Sequence, residues 1–141
     1  MNVLQLHAQV FLDLLNADAG PPQLRVLNGL VPNGVLPPYV LLYLAFRTPT
    51  GVDEPSLVSL EKTSDVIHVT ATCHSVGGDP FAAQAVAGRV RACLLGVIPT
   101  ITNRVCAPIL HLDGAPVGRD ESTGTPVFDQ VDQYRFTSLP G

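Results

Sequence analysis

Three cysteines and four histidines are the residues of this sequence whose types could bind a metal ion. Cys73, His74, Cys93, Cys106 and His111 contain enough sulfur and nitrogen ligands for a zinc site. Structural zinc sites, however, take their ligands from closely spaced pairs such as C-x-x-C, and no such pair occurs here. Cys73 and His74 are adjacent in a predicted strand, where neighbouring side chains point to opposite faces. The sequence therefore predicts no metal site and indicates no other cofactor.

A cysteine nucleophile with a histidine base is the second chemistry that these residue types allow. The candidates are Cys73 or Cys93 with His68 or His74. Both cysteines fall on the apolar faces of predicted elements, whereas a reactive thiolate needs access to solvent. The motifs of serine hydrolases, phosphate-binding loops and zinc proteases are absent as well. The sequence thus predicts no catalytic nucleophile.

Paired carboxylates could serve as general acid and base if an apolar pocket raised the pKa of one of them. Two of the three pairs lie in predicted loops, where carboxylates are usually solvated. The third pair flanks Val131 on a predicted strand, with one carboxylate on each face. We therefore expect no catalytic pair and a protein that is not an enzyme. The three pairs are Asp53/Glu54, Asp120/Glu121 and Asp129/Asp132.

The charge content restricts the partners that the protein can have. Only 14% of the 141 residues are charged, against about 25% in a typical globular domain. A chain of this size is expected to fold as one domain, residues 1–141, with a large polar surface. We therefore expect other subunits to cover part of that surface, a surface of uncharged polar residues being the alternative. The net charge of −4 and the scattered Lys and Arg residues argue against nucleic-acid binding.

The sequence also lacks the features of membrane and exported proteins. No apolar segment approaches the roughly 18 residues that a membrane helix needs. The first residues have neither the basic start nor the cleavage site of a signal peptide. We expect synthesis in the cytoplasm, reduced cysteines and no membrane partner.

Two helices are predicted from the spacing of apolar residues. The first spans Val3–Asn16, and His7 lies on or beside its apolar stripe, where we expect a hydrogen-bonded core histidine rather than a ligand. The second begins at Pro80 behind the capping residue Asp79 and ends at Gly96. Small residues on the second helix, Ala82, Ala85 and Gly88, are expected to allow a close approach to a sheet. The predicted buried stripe of this helix comprises Phe81, Ala82, Ala85, Val86, Val90, Cys93 and Leu94.

Four strands are predicted, at residues 24–27, 39–46, 64–74 and 127–139. The order of helices and strands predicts an α+β domain with one mainly antiparallel sheet and two helices packed on one of its faces. Residues 39–46 are an uninterrupted apolar run, which is typical of a strand covered on both faces. Since the two helices cover one face, we expect another subunit to cover the second. Residues 64–74 instead alternate, and the alternation predicts a core set of Ile67, Val69, Ala71 and Cys73.

The order and spacing of these segments resemble a known family. The segments are the helix LHAQVFLDLLNADAG, the strand entry PPYVLLYLAF, the unit VIHVTATCHSVGGDPFAAQAVAGRVRACLLG and the closing DQYRF. Together they resemble the tail terminator (tail completion) proteins of long-tailed bacteriophages, or siphoviruses, the small tail-component family related to lambda's tail terminator. The resemblance covers roughly residues 3–136 and is weakest over residues 48–55 and 113–126.

The resemblance implies an α+β fold, a hexameric ring and a structural role without catalytic residues. Such a ring sits on the finished tail tube, stops further tube polymerisation and presents a surface to the head connector. The implied partners are copies of the same chain, the tail tube protein and the head-tail connector protein. The implied location is the tail or neck of the virion.

Polar loops without a role in the core remain available for partners, and residues 47–56 form a long loop of this kind. We therefore predict that this loop and the acidic pair at residues 120–121 contact the ring or the tail tube. The tyrosines of the apolar run are predicted to lie in the same interface. The predicted interface residues are Tyr39, Tyr43, Arg47, Asp53, Glu54, Asp120 and Glu121.

Two other functions remain open at this stage. One is a head-completion or connector-adaptor protein of the phage neck, which would bind the portal side instead of the tail tube. The other is a cytoplasmic α+β domain that binds a small ligand, for which His68 and His74 are the available titratable groups.

Overall fold

The computed structural model describes residues 1–47, 66–120 and 126–141. Both predicted helices are present, and the predicted strands at 39–46 and 127–139 are confirmed to within one residue at each end. The first strand begins two residues later than predicted. The elements are α1 (Val3–Asn16), β1 (Val26–Asn28), β2 (Tyr39–Arg47), β3 (Ile67–Gly77), α2 (Pro80–Leu94), β4 (Arg104–Cys106), β5 (Leu110–Gly114), β6 (Gly118–Asp120) and β7 (Val127–Pro140).

These strands form one seven-stranded sheet, in which β1, β2, β3 and β7 lie side by side in that order. β1 is parallel to β2, whereas β2–β3 and β3–β7 are antiparallel. Along its other side, β7 pairs in turn with β6, β5 and β4, all antiparallel. The predicted α+β class with a mainly antiparallel sheet is confirmed, and the β1–β2 pair makes the sheet mixed.

The predicted core face of β3 is confirmed. Ile67, Val69, Ala71 and Cys73 are all fully buried. Their partners across the β3–β7 ladder are Ser138, Phe136, Tyr134 and Asp132, which are also buried. We call this side of the sheet the inner face, because α1 and α2 pack against it.

A buried histidine ties α1 to the end of β7. Nδ1 of His7 donates to the carbonyl of Val3 at 2.6 Å, and Nε2 accepts from the hydroxyl of Ser138 at 2.7 Å. Nε of Arg104 donates to the same Ser138 oxygen at 2.7 Å. The ring of His7 also stacks on Phe136. The prediction of a hydrogen-bonded core histidine is therefore confirmed, and both ring nitrogens are satisfied.

The buried stripe of α2 is rotated from the predicted one. Val86, Val90 and Leu94 are buried as expected, but Phe81 is 84% exposed. Ala85 and Gly88 are exposed as well, so the prediction that they approach the sheet is wrong. The close approach occurs at Gly77 and Ala83, since a Cβ on Gly77 would collide with the backbone of residues 82 and 83. This contact at the first turn sets the rotation of the helix, and it turns Phe81 outward. The buried stripe is Ala83, Val86, Ala87, Val90 and Leu94.

The apolar strand β2 is covered on one face by its own chain. Val40 and Leu42 are fully buried on the inner face, and Leu44 and Phe46 pack against the core beside them. On the opposite face Tyr43 is 47% exposed. The predicted cover of one face by the chain itself is confirmed. Cover of the second face by another subunit stays a prediction.

We expect Gly77→Ala to destabilise the protein by about 1–3 kcal/mol, because the added methyl group forces β3 and the start of α2 apart. Gly88→Ala is the matched control, since nothing lies within 4 Å of the Cβ position in that exposed turn of α2. Alanine should stabilise the helix there by about 0.5–1 kcal/mol. Urea denaturation of both variants measures the two effects. Equal effects of the two substitutions would contradict the close approach at Gly77.

We also expect the protein to lose stability as the pH falls from about 7.5 to about 5.5. Burial lowers the pKa of His7 below its ordinary value of 6.5, and burial also lowers the pKa of His68. The unfolded chain therefore takes up these protons first, and protonation favours unfolding. The loss should be smaller in His68→Gln and smaller still in His7→Gln. Denaturation curves at the two pH values test this, and an unchanged pH dependence in both variants would contradict it.

Candidate functional site

The face of the sheet opposite the helices carries a regular array of side chains from three adjacent strands. We call it the outer face. The strand registers place residues from β2, β3 and β7 on it in rows. Tyr39 and Val76 at one end are buried, and the remaining residues are half-buried or exposed. The mixture of Thr, Tyr, Arg and His suits a partner protein better than a small ligand. The outer face comprises Tyr39, Leu41, Tyr43, Ala45, Arg47, His68, Thr70, Thr72, His74, Val76, Asp129, Val131, Gln133, Arg135 and Thr137.

One end of the outer face is cationic. Arg47 lies opposite His68, and His68 lies opposite Thr137, whose hydroxyl is 2.7 Å from Nδ1 of His68. Burial lowers the pKa of His68 most, and the guanidiniums of Arg135 and Arg47 lower it further. No carboxylate of the described residues forms an ion pair with Arg47 or Arg135. This end therefore carries the positive charge of two guanidiniums.

The other end of the outer face is anionic. Nδ1 of His74 lies 2.9 Å from Oδ2 of Asp129, and the ring of Tyr43 meets that of His74 edge-on at 5.4 Å. Oδ1 of Asp129 is buried and has no hydrogen-bond partner among the described residues. Burial raises the pKa of Tyr39, and the carboxylates of Asp129 and Asp120 raise it further. The two ends of the outer face thus carry opposite charges.

The structure brings several predicted interface residues together. Tyr39, Tyr43 and Arg47 point to the same side of β2, and Asp120 lies at the end of β6, where its charge acts on Tyr39. The side chain of Tyr39 is only 9% exposed and has little surface for contact with a partner, whereas Tyr43 is 47% exposed. The remaining predicted interface residues lie outside the described part of the chain. They are Asp53, Glu54 and Glu121.

A groove between α2 and the inner face was missed by the sequence analysis. It has a volume of about 300 Å³ and contains a hydrogen-bonded His–Asp pair, with 3.0 Å between Nε2 of His111 and Oδ1 of Asp132. The amide of Gln130 lies 3.3 Å from the second carboxylate oxygen. Burial raises the pKa of Tyr134, whose ring meets His111 edge-on. The signal was the position of Asp132 in the same alternation as the apolar Tyr134. The groove is lined by Gln84, Ala87, Gly88, Arg91, His111, Gln130, Asp132 and Tyr134.

The cysteines occupy positions where thiols are poor nucleophiles. Cys73 is fully buried, as predicted, and burial raises its pKa to about 12. Burial also raises the pKa of Cys93 and of Cys106. Across the described ranges, no three His, Cys, Asp or Glu side chains come together as a metal site. In the same ranges, no helix has the length and apolar character that crossing a membrane requires.

We expect Cys73 to resist alkylation by iodoacetamide at about pH 8 while the protein is folded, because the thiol is both buried and protonated. Cys93 and Cys106 are partly exposed and should react slowly under the same conditions. In urea all three should react at similar rates. Mass spectrometry of the digested protein measures each site, and rapid native labelling of Cys73 would contradict the buried assignment.

Comparison with known proteins finds a similarity among solved structures. No family model and no curated protein sequence matches the chain. Among solved structures, the chain is similar to a chain of the virion of a native gene transfer agent particle, with a TM-score of 0.54 and 16% sequence identity. The alignment covers 96% of this chain and 92% of that chain. At this level of identity, what the two chains share is the fold, and they share it over nearly their whole lengths.

Proposed function

We propose that this protein is a structural virion component that forms a ring on the end of a phage tail tube. The ring stops tube polymerisation and joins the tail to the head connector. The observation that carries the proposal is the fold shared, over nearly both whole chains, with a chain of a gene transfer agent virion. The resemblance of the sequence to phage tail terminators supports the position at the end of the tube.

The charges of the outer face support assembly with further protein. In a closed ring, each subunit meets its neighbours through two different surfaces. The outer face offers two such surfaces at its ends, one with Arg47 and Arg135 and one with Asp129 and Asp120. Between them lies the exposed ring of Tyr43, a residue type that is enriched at interfaces. The partners proposed are other copies of this chain, the tail tube protein and the head-tail connector protein, within the tail or neck of the virion.

We propose a structural and not a catalytic role. Burial raises the pKa of all three cysteines, which keeps the thiols protonated and unreactive. The pair of His111 and Asp132 serves in this view to hold β5 against β7, since it joins those two strands.

A head-completion or connector-adaptor protein of the neck is the second candidate. The similar structure belongs to a virion, and the shared fold does not distinguish the tail from the neck. The two candidates differ in the partner, which is the tail tube protein in one and the portal side in the other. The groove at His111 is the observation that favours the third candidate, a small-ligand-binding domain. A rise in melting temperature with any member of a metabolite panel, abolished by Asp132→Asn, would support that candidate over the virion role.

The mass of the purified protein should be measured by light scattering across concentration, with and without assembled tail tubes. A hexamer, formed alone or on tube ends seen by electron microscopy, is the expected result. A monomer that does not bind tubes but binds portal rings would favour the neck adaptor. A monomer that binds neither tubes nor portal rings would overturn the virion proposal.

We expect the double variant Tyr43→Ala, Arg47→Glu to abolish assembly on tubes while changing the melting temperature little, because both side chains lie on the outer face. Arg91→Glu is the matched control, since Arg91 is an exposed cation on α2, away from the outer face. Sedimentation of protein with tubes measures assembly. Normal assembly of the double variant, or equal loss in the control, would contradict the assignment of the outer face.

A further inference from the structure

The half of β2 that follows Leu42 has one edge that pairs with no strand among the described residues. β1 pairs with β2 from Val40 to Leu42 and goes no further. The amide of Val40 donates to residue 25, and the carbonyl of Leu42 accepts from residue 29. Successive residues of a strand direct their backbone groups to opposite sides, so Leu44 and Phe46 direct theirs to the same side as Val40 and Leu42. Neither Leu44 nor Phe46 makes a backbone hydrogen bond on that side with any described residue.

Bulges, prolines and inward-pointing charges are among the devices that usually prevent strand addition, and this part of β2 has none of these three. The opposite edge of the sheet consists of β4, β5 and β6, and β5 carries a bulge. β2, by contrast, runs for nine residues in unbroken register with β3 and contains no proline. Residues 43–47 therefore present a straight edge of roughly 16 Å.

The side chains along this edge determine which residue types a strand needs in order to pair with it. Leu44 and Phe46 lie on the inner face, half-buried against the core, so the added strand needs apolar side chains on that side. Tyr43, Ala45 and Arg47 lie on the outer face and are exposed. Arg47 has no carboxylate partner among the described residues, and Arg135 adds to the positive charge around it. The fitting strand thus alternates apolar and polar residues and carries a carboxylate beside Arg47.

We propose that residues 43–47 bind an extended acidic segment of a different protein, which adds a strand to the sheet. Main-chain hydrogen bonds to Leu44 and Phe46 would supply affinity, and the side-chain positions would supply selectivity. A second copy of this chain fits less well through the same edge, because β2 itself contains no carboxylate. The proposal goes beyond the virion role and does not depend on it, since it uses only the sheet edge and its charges.

The test uses the whole protein and synthetic peptides. The probe is acetyl-Glu-Val-Thr-Val-Glu-amide, which places a carboxylate beside Arg47 in either direction of the strand. The first control peptide replaces both glutamates with lysine. The second keeps the sequence but carries N-methyl groups on the valine and threonine amides, which blocks strand pairing. Hydrogen exchange of backbone amides by NMR reports on the edge residue by residue, at peptide concentrations up to about 1 mM.

In the dilute protein alone, the amides of Leu44 and Phe46 should exchange fast, whereas those of Tyr43 and Ala45, which face β3, should exchange slowly. The acidic peptide should slow exchange at Leu44 and Phe46, and neither control peptide should do so. Arg47→Glu should weaken binding of the acidic peptide roughly threefold or more and favour the lysine peptide. Arg91→Glu should change neither affinity.

Three results would overturn the proposal. Slow exchange of Leu44 and Phe46 in the dilute free protein would mean that this chain covers its own edge. Protection that rises with protein concentration alone would assign the edge to a second copy. Equal binding of the acidic and lysine peptides, or no binding of the acidic peptide, would show that the edge does not select an acidic strand. None of these results bears on assembly with tail tubes, so the virion role is tested separately.

Discussion

Side chains of a β-strand alternate between its two faces. The long ladder of β3 and β7 fixes which residues of the sheet face the helices and which face away from them. The ladder runs from Ile67 opposite Ser138 to Gly77 opposite Phe128. In this register Val69 and Phe136 meet on the inner face, and the hydroxyl of Thr137 meets His68 on the outer face. A slip by one residue would exchange the two sets and place polar side chains beneath the helices. Both the core and the charge pattern of the outer face follow from this register.

The alternation of β3 could be read directly from the sequence, because its apolar residues occupy every second position. The α+β class followed from the same period together with the two helical stripes. The rotation of α2 could not be predicted, since it depends on contact between Gly77 and the backbone at Ala83, two residues on different elements. The apolar run of β2 indicated that the strand needs cover on both faces, and this chain supplies it on the inner face. The position of Asp132 on the inner face could be read from the alternation of β7, but its pairing with His111 of β5 is a contact between two strands far apart in the sequence.

The proposed functions use the sheet in two different ways. Assembly with ring or tube subunits uses side chains that stand out from the outer face, where charge is separated between the two ends. Strand addition uses the backbone of Leu44 and Phe46 at the edge, where direction and spacing matter more than side-chain identity. The two surfaces meet at Arg47, which is exposed on the outer face and ends the open edge. A substitution of Arg47 therefore affects both kinds of contact. A substitution of Tyr43 affects only the outer face, and blocking the backbone groups of Leu44 and Phe46 affects only the edge.

The position of β7 in the sheet has a consequence for the way the protein is made. β7 comes last in the order of elements, yet it lies between β3 on one side and β4, β5 and β6 on the other. Until the ribosome has released residue 140, those strands lack their common neighbour, and His7 of α1 lacks Ser138. The nascent chain must keep the apolar segments of the earlier strands apart from other proteins until β7 has been made. The decisive step of folding therefore waits for β7, and long-range pairing of this kind is slow compared with helix formation.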